Sequence, residues 1–118
     1  MKAIDIIKTA VMALDDKKAK DIEVIKIGEL TIIADYFIVA SGTSSTQVKA
    51  LAEEIDYKLS EKGIEPHHIE GRATGWILLD YGPVVIHVFH EESREFYSLE
   101  RHWTDGQRID ISEFLKGG

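Results

Sequence analysis

Few side chains in this sequence have the types and spacing that chemistry requires, and the most suggestive group is His87, His90 and Glu91. A zinc site needs three or four converging ligands. A spacing of three sends His87 and His90 to opposite faces of an extended strand, so they meet only if the strand ends before His90. His67 and His68 are adjacent and diverge in the same way. Ser41-Gly42-Thr43-Ser44 offers a second chemistry, because a glycine-containing turn that opens a helix can hold a phosphate on backbone N–H groups. Phosphoryl or nucleotidyl transfer also needs carboxylates for a metal ion, commonly two at alternate positions of one strand. The late strands carry no Asp-x-Asp, Asp-x-Glu or Glu-x-Glu, and Asp80 stands alone. The segment therefore reads as a capped helix start, with a nucleotide-binding enzyme as the competing reading. Zero cysteines exclude disulfides, thiolate metal sites and a cysteine nucleophile. No catalytic residue, metal or cofactor is expected.

Charge narrows the partner class. Fourteen basic and twenty-one acidic side chains give a formal charge of −7. Nucleic-acid binding draws on Lys and Arg at phosphates, so little direct nucleic-acid contact is expected. An acidic surface suits a basic protein partner, or serves solubility alone. The first residues carry charges where a signal peptide needs an apolar stretch. The longest apolar run, 32–40, is interrupted by Asp35 and falls far short of a membrane span. A cytoplasmic protein with no membrane contact is the expectation.

The elements that position these residues are legible from periodicity. A helix is predicted over 3–18, with Ile4, Ile7, Val11 and Leu14 on one face. Strands follow at 22–27, ended by Gly28, and at 32–40. A second helix is predicted over 45–62, with Val48, Leu51, Ala52, Ile55 and Leu59 as its apolar stripe and Gly63 at its C-terminal cap. Residues 66–70 read as an edge strand because of Pro66, and 71–75 as a turn. Trp76–Asp80 and 84–89 read as a hairpin across Tyr81-Gly82-Pro83, followed by a short helix at 91–97. The sum is a single α/β domain, a mixed sheet of about five strands with helices packed on it. Residues 104–118 read as a polar tail with few apolar contacts.

The hairpin carries the most information. Any loop with an even number of residues places Ile77 and Leu79 beside Val84, Ile86 and Val88, a wholly aliphatic face that must be core. The same register places Trp76, Leu78 and Asp80 beside Val85, His87 and Phe89. That second face is too apolar for solvent and too polar for a dry core. Either a helix covers it, or part of it stays open to a partner, with Trp76 and Phe89 as aromatic anchors. A homodimer that uses this face for self-association is a third reading.

Three stretches carry a resemblance. Asp35-Tyr36-Phe37-Ile38-Val39-Ala40-Ser41-Gly42-Thr43-Ser44, with Gln47-Val48-Lys49-Ala50 after it, resembles the first signature of the Iojap-related ribosomal silencing factors. Glu70-Gly71, Trp76-Ile77-Leu78-Leu79-Asp80-Tyr81-Gly82 and Val84-Val85-Ile86-His87-Val88-Phe89 resemble the second. Arg94-Glu95-Phe96-Tyr97-Ser98-Leu99-Glu100-Arg101 and Trp103 resemble the third. Pro83 stands where the family usually has Asp or Asn, and His102 where Leu is usual. The likeness covers nearly all of residues 1–103, the expected silencing-factor domain.

The resemblance implies a nucleotidyltransferase-like fold without the catalytic residues, and members that are homodimers when free. It implies binding to large-subunit ribosomal protein fourteen, which blocks subunit joining and lowers translation, and a role in large-subunit biogenesis. The expected contact residues are Trp76, Leu78, Asp80, His87 and Phe89, from the hairpin face, and Tyr97, Leu99, Glu100 and Trp103, from the resemblance. Asp80, Glu91 and Glu100 are expected to steer the basic partner.

Overall fold

The computed structural model describes residues 3–26, 35–71 and 76–90, together with the backbone of 107–109. The elements, in chain order, are α1 (Ala3–Asp16), β1 (Lys20–Lys26), β2 (Tyr36–Gly42), α2 (Ser45–Ser60), β3 (His68–Glu70), β4 (Trp76–Asp80), β5 (Val84–His90) and β6 (Gln107–Ile109). The strands form one sheet in the order β3-β4-β5-β2-β1-β6. Its central pair, β2 and β5, is parallel, and the other neighbours are antiparallel.

The expected α/β architecture is present, with six strands rather than about five. The additional strand lies in the segment read as a polar tail, where Gln107–Ile109 pair with Val24, Ile25 and Lys26. An edge strand this short is held by backbone hydrogen bonds, which hydropathy patterns do not register. The helix expected at 91–97 lies outside the described residues, as do 27–34 and 72–75.

Helix α1 buries Ile6, Ile7, Ala10, Val11, Ala13 and Leu14. Ile4, expected on the same face, is 49 % exposed. At 100° per residue the buried arc centres near Ala10, and Ile4 falls beyond its margin in the first turn. In α2 the five residues of the predicted stripe are all buried.

The ends of α2 follow from local chemistry. Ser44 is the N-cap, and its Oγ accepts a hydrogen bond from the Gln47 N–H at 3.1 Å. At the other end Gly63, with φ +78°, takes the left-handed conformation that glycine adopts without penalty. The Gly63 N–H donates to the Ser60 carbonyl and the Ile64 N–H to the Leu59 carbonyl, both at 2.9 Å, which satisfies two terminal carbonyls in a Schellman pattern.

Both helices lie on the aliphatic face of the sheet. Ile77 and Leu79 of β4, Val84, Ile86 and Val88 of β5, Ile38 and Ala40 of β2 and Val24 of β1 form one cluster with the buried residues of α1 and α2. The Gln47 amide donates to the Lys17 and Lys18 carbonyls at 3.4 Å each, tying the end of α1 to the start of α2.

Candidate partner-binding face

The hairpin adopts the register that an even loop requires. Trp76 lies opposite Phe89, Leu78 opposite His87 and Asp80 opposite Val85. The loop is Gly82-Pro83, closed by the Tyr81 N–H donating to the Val84 carbonyl at 3.0 Å. Gly82 has φ +88°, and its N–H donates to Asp80 Oδ1 at 2.8 Å. The Pro83 carbonyl accepts from the N–H groups of Asp35 and Tyr36 at 2.8 and 3.0 Å, which fixes the hairpin tip to the start of β2. Proline at this loop position costs the sheet no ladder hydrogen bond and leaves its carbonyl available.

The second face of the sheet carries an aromatic cluster. Trp76 stacks on Phe89 with ring centroids 5.1 Å apart and planes 24° from parallel. Phe37 of β2 meets the His87 ring edge-on at 4.9 Å. The Trp76 indole N–H donates to His87 Nδ1 at 3.1 Å. Indole nitrogen is a donor only, so His87 Nδ1 is the acceptor and the neutral ring carries its proton on Nε2. Burial lowers the His87 pKa from 6.5 to about 4, because charging the ring would cost hydration. His87 Nε2 is buried with no hydrogen-bond partner among the described residues.

Only part of this face is accessible. His87 is 4 % exposed and Phe89 is fully buried, so neither presents itself to a partner as expected. Among the described residues, neighbouring rings take up their surface: Trp76 stacks on Phe89, and Trp76 and Phe37 flank His87 from the strands on either side. Trp76, Leu78 and Asp80, one strand nearer the sheet edge, are half-buried. Phe89 and His87 support Trp76 from behind. Asp80, expected as a steering charge, also commits one oxygen to the hairpin turn.

The register adds two residues that sequence reasoning left aside. His68 lies opposite Asp80 and Glu70 opposite Leu78. Cross-strand partners share a face at about 5 Å between Cβ atoms, so β3 extends the strip with an exposed contact between His68 Nε2 and Glu70 Oε1. The signal was the edge strand itself, but its register with β4 was not readable from pattern. Tyr97, Leu99, Glu100 and Trp103 of the expected contact, and Glu91, lie outside the described residues.

The helix start considered for phosphate is occupied by the chain's own groups. Gln47 Oε1 accepts from the Thr43 N–H at 2.6 Å and from its hydroxyl at 2.8 Å. Gly42 is there for space, since a Cβ would sit 3.0 Å from Val48 Cγ2 and 3.1 Å from the Val48 nitrogen. Among the described residues, no three His, Asp or Glu side chains converge on a metal-sized site.

Comparison with known proteins places the chain. The family described as ribosomal silencing factor during starvation matches residues 1–117. The chain belongs to the ribosomal silencing factor family. It is 40 % identical over 112 residues to ribosomal silencing factor RsfS of Bacillus subtilis, covering 94 % of this chain and 95 % of that one. It is 37 % identical over 98 residues to the mouse protein named mitochondrial assembly of ribosomal large subunit protein 1, covering 80 % of this chain and 43 % of the mouse protein. A crystal structure from Chromobacterium violaceum superposes with a TM-score of 0.85 at 40 % identity, over 93 % of this chain and 92 % of that one. A second, from Bacillus halodurans, gives 0.80 at 35 %, over 91 % and 98 %.

Proposed function

We propose that this protein represses translation, without catalysis or a cofactor, by binding the large ribosomal subunit and obstructing its association with the small one. Family membership supports the general role. The observation that carries the mode of binding is the half-buried strip of Trp76, Leu78 and Asp80, bordered by His68 and Glu70. It joins an aromatic anchor to carboxylates, in a chain of net charge −7. Such a strip suits a basic protein surface: apolar area supplies affinity and the charges speed encounter.

The partner we infer is large-subunit ribosomal protein fourteen, with Tyr97, Leu99, Glu100 and Trp103 completing the contact. The action is steric, in the cytoplasm. The Cα radius of gyration is 12.9 Å, so the bound domain is wide enough to hold two subunits apart. The name of the mouse relative supports a role in large-subunit assembly as well. In the free state we propose a homodimer, checked by sedimentation equilibrium.

The deciding experiment mixes purified large and small subunits with the protein in a sucrose gradient. The protein is expected to sediment with large subunits and to deplete the joined-ribosome peak, and Trp76→Ala, with an unchanged circular dichroism spectrum, to weaken both effects. Sedimentation of the protein only at the top of the gradient, with joining unaffected, overturns the proposal.

A further inference from the structure

Trp76 is the aromatic anchor of the proposed contact, and His87 lies behind it, 4 % exposed. We propose that His87 is a positioning residue for large-subunit binding: it fixes the orientation in which Trp76 meets the partner and does not touch the partner itself. This rests on the reading above that Trp76 anchors the contact.

Direction, rigidity and cost carry the assignment. The stack on Phe89, with centroids 5.1 Å apart, constrains the plane of the indole, but stacking tolerates a range of offsets. A hydrogen bond is directional. The bond from Trp76 Nε1 to His87 Nδ1, 3.1 Å long, fixes the rotation that the stack leaves free. The two residues are not cross-strand partners, since Trp76 lies opposite Phe89 and His87 opposite Leu78. Their bond is a diagonal one, which only long side chains span.

His87 is itself held. The Phe37 ring meets it edge-on at 4.9 Å, and Phe89 lies 12° from parallel to it at 6.2 Å. β5 stands between β2 and β4 in the sheet. The line of contacts from Phe37 through His87 to Trp76 therefore ties a half-buried side chain on β4 to the central pair of strands.

The histidine is an expensive choice for this position. Its Nδ1 serves Trp76, and its Nε2 is buried with no hydrogen-bond partner among the described residues. A buried donor left without an acceptor costs stability. A phenylalanine among Phe37, Trp76 and Phe89 would fill the space without that cost. What histidine adds is an acceptor for the indole. An anchor already held in its bound orientation gives up less side-chain freedom on association.

The test uses the full chain and two measurements. Deuterium exchange of the Trp76 indole N–H, followed by NMR, reads the orientation, and affinity for purified large subunits reads its consequence. His87→Phe keeps a ring and removes the acceptor. It is expected to speed the exchange and to weaken binding by about fivefold, the effect of freeing one large side chain. His87→Asn, whose amide oxygen stands near the place of Nδ1, is expected to recover part of both. Replacing Trp76 by β-(3-benzothienyl)alanine keeps the shape of the indole without its N–H. It is expected to weaken binding by a similar factor with His87 intact, so the result does not depend on the folding of His87→Phe. Wild-type affinity in the benzothienyl chain or in His87→Phe overturns the inference. Unchanged indole exchange in His87→Phe does the same, as do equal losses in His87→Phe and His87→Asn, which assign the effect to ring packing. A wild-type chain that does not bind large subunits overturns the underlying reading and this inference with it, whereas wild-type binding with unaffected variants overturns this inference alone.

Discussion

Trp76 and His87 share one hydrogen bond across the hairpin, from the indole N–H to Nδ1 over 3.1 Å, and this bond sets what the second face of the sheet can offer. The indole spends its only donor inside the protein. Trp76 therefore meets a partner as an apolar plate, backed by Phe89 at 5.1 Å, and not as a hydrogen-bond donor. Removing the indole leaves the buried His87 Nδ1 without its donor. Trp76→Phe keeps the stack but orphans Nδ1, and is expected to cost about 1–3 kcal/mol in urea unfolding.

Acid should weaken the fold through His87. Its folded pKa, about 4, lies below its unfolded value of 6.5, so between these values the unfolded chain binds more protons. The contribution is complete above pH 6.5 and is lost as the pH falls through 4. It amounts to about 3 kcal/mol as an order of magnitude. Unfolding curves of wild type and His87→Phe between pH 7 and 4 check this, the variant being expected to show the shallower dependence.

Asp80 has a structural duty that must be separated from recognition. Its Oδ1 accepts from the Gly82 N–H at 2.8 Å, so Asp80→Ala is expected to destabilise the hairpin by about 1 kcal/mol. Asp80→Asn retains an acceptor without the charge. A drop in the association rate with large subunits for Asp80→Asn, at unchanged melting temperature, would isolate the steering role.

Gly42 tests the join between β2 and α2. An added Cβ would meet both the Val48 side chain at 3.0 Å and its backbone nitrogen at 3.1 Å. The backbone cannot yield as a side-chain tip does, so Gly42→Ala is expected to cost about 1–3 kcal/mol by thermal unfolding.

Tyr81 behaves oppositely. It is 3 % exposed, its hydroxyl has no hydrogen-bond partner among the described residues, and burial, then the charges of Asp56 and Glu65, push its pKa upward. Tyr81→Phe removes an unsatisfied polar atom at nearly constant shape and is expected to be neutral or stabilising by up to about 1 kcal/mol. Calorimetry checks it.

Local pattern carried the parts of this protein that neighbours in sequence specify. The stripe of α2, a capped start within residues 41–46 and a stop at Gly63, and the division of β4 and β5 into an aliphatic and a mixed face all follow from periods of 3.6 and 2 and from the conformations that single residues allow, while the structure singles out Ser44 as the cap. Strand order does not. Nothing in the pattern of residues 84–90 distinguishes an interior strand from one near an edge. Yet that choice decides which rings flank His87 and Phe89, with Phe37 on one side and Trp76 on the other, while Trp76, Leu78 and Asp80 stay half-open. The pairing of His68 and Glu70 with β4, and of Gln107–Ile109 with β1, depends on backbone hydrogen bonds between distant segments. Those bonds carry no side-chain signature, so these placements emerge only once the sheet has assembled.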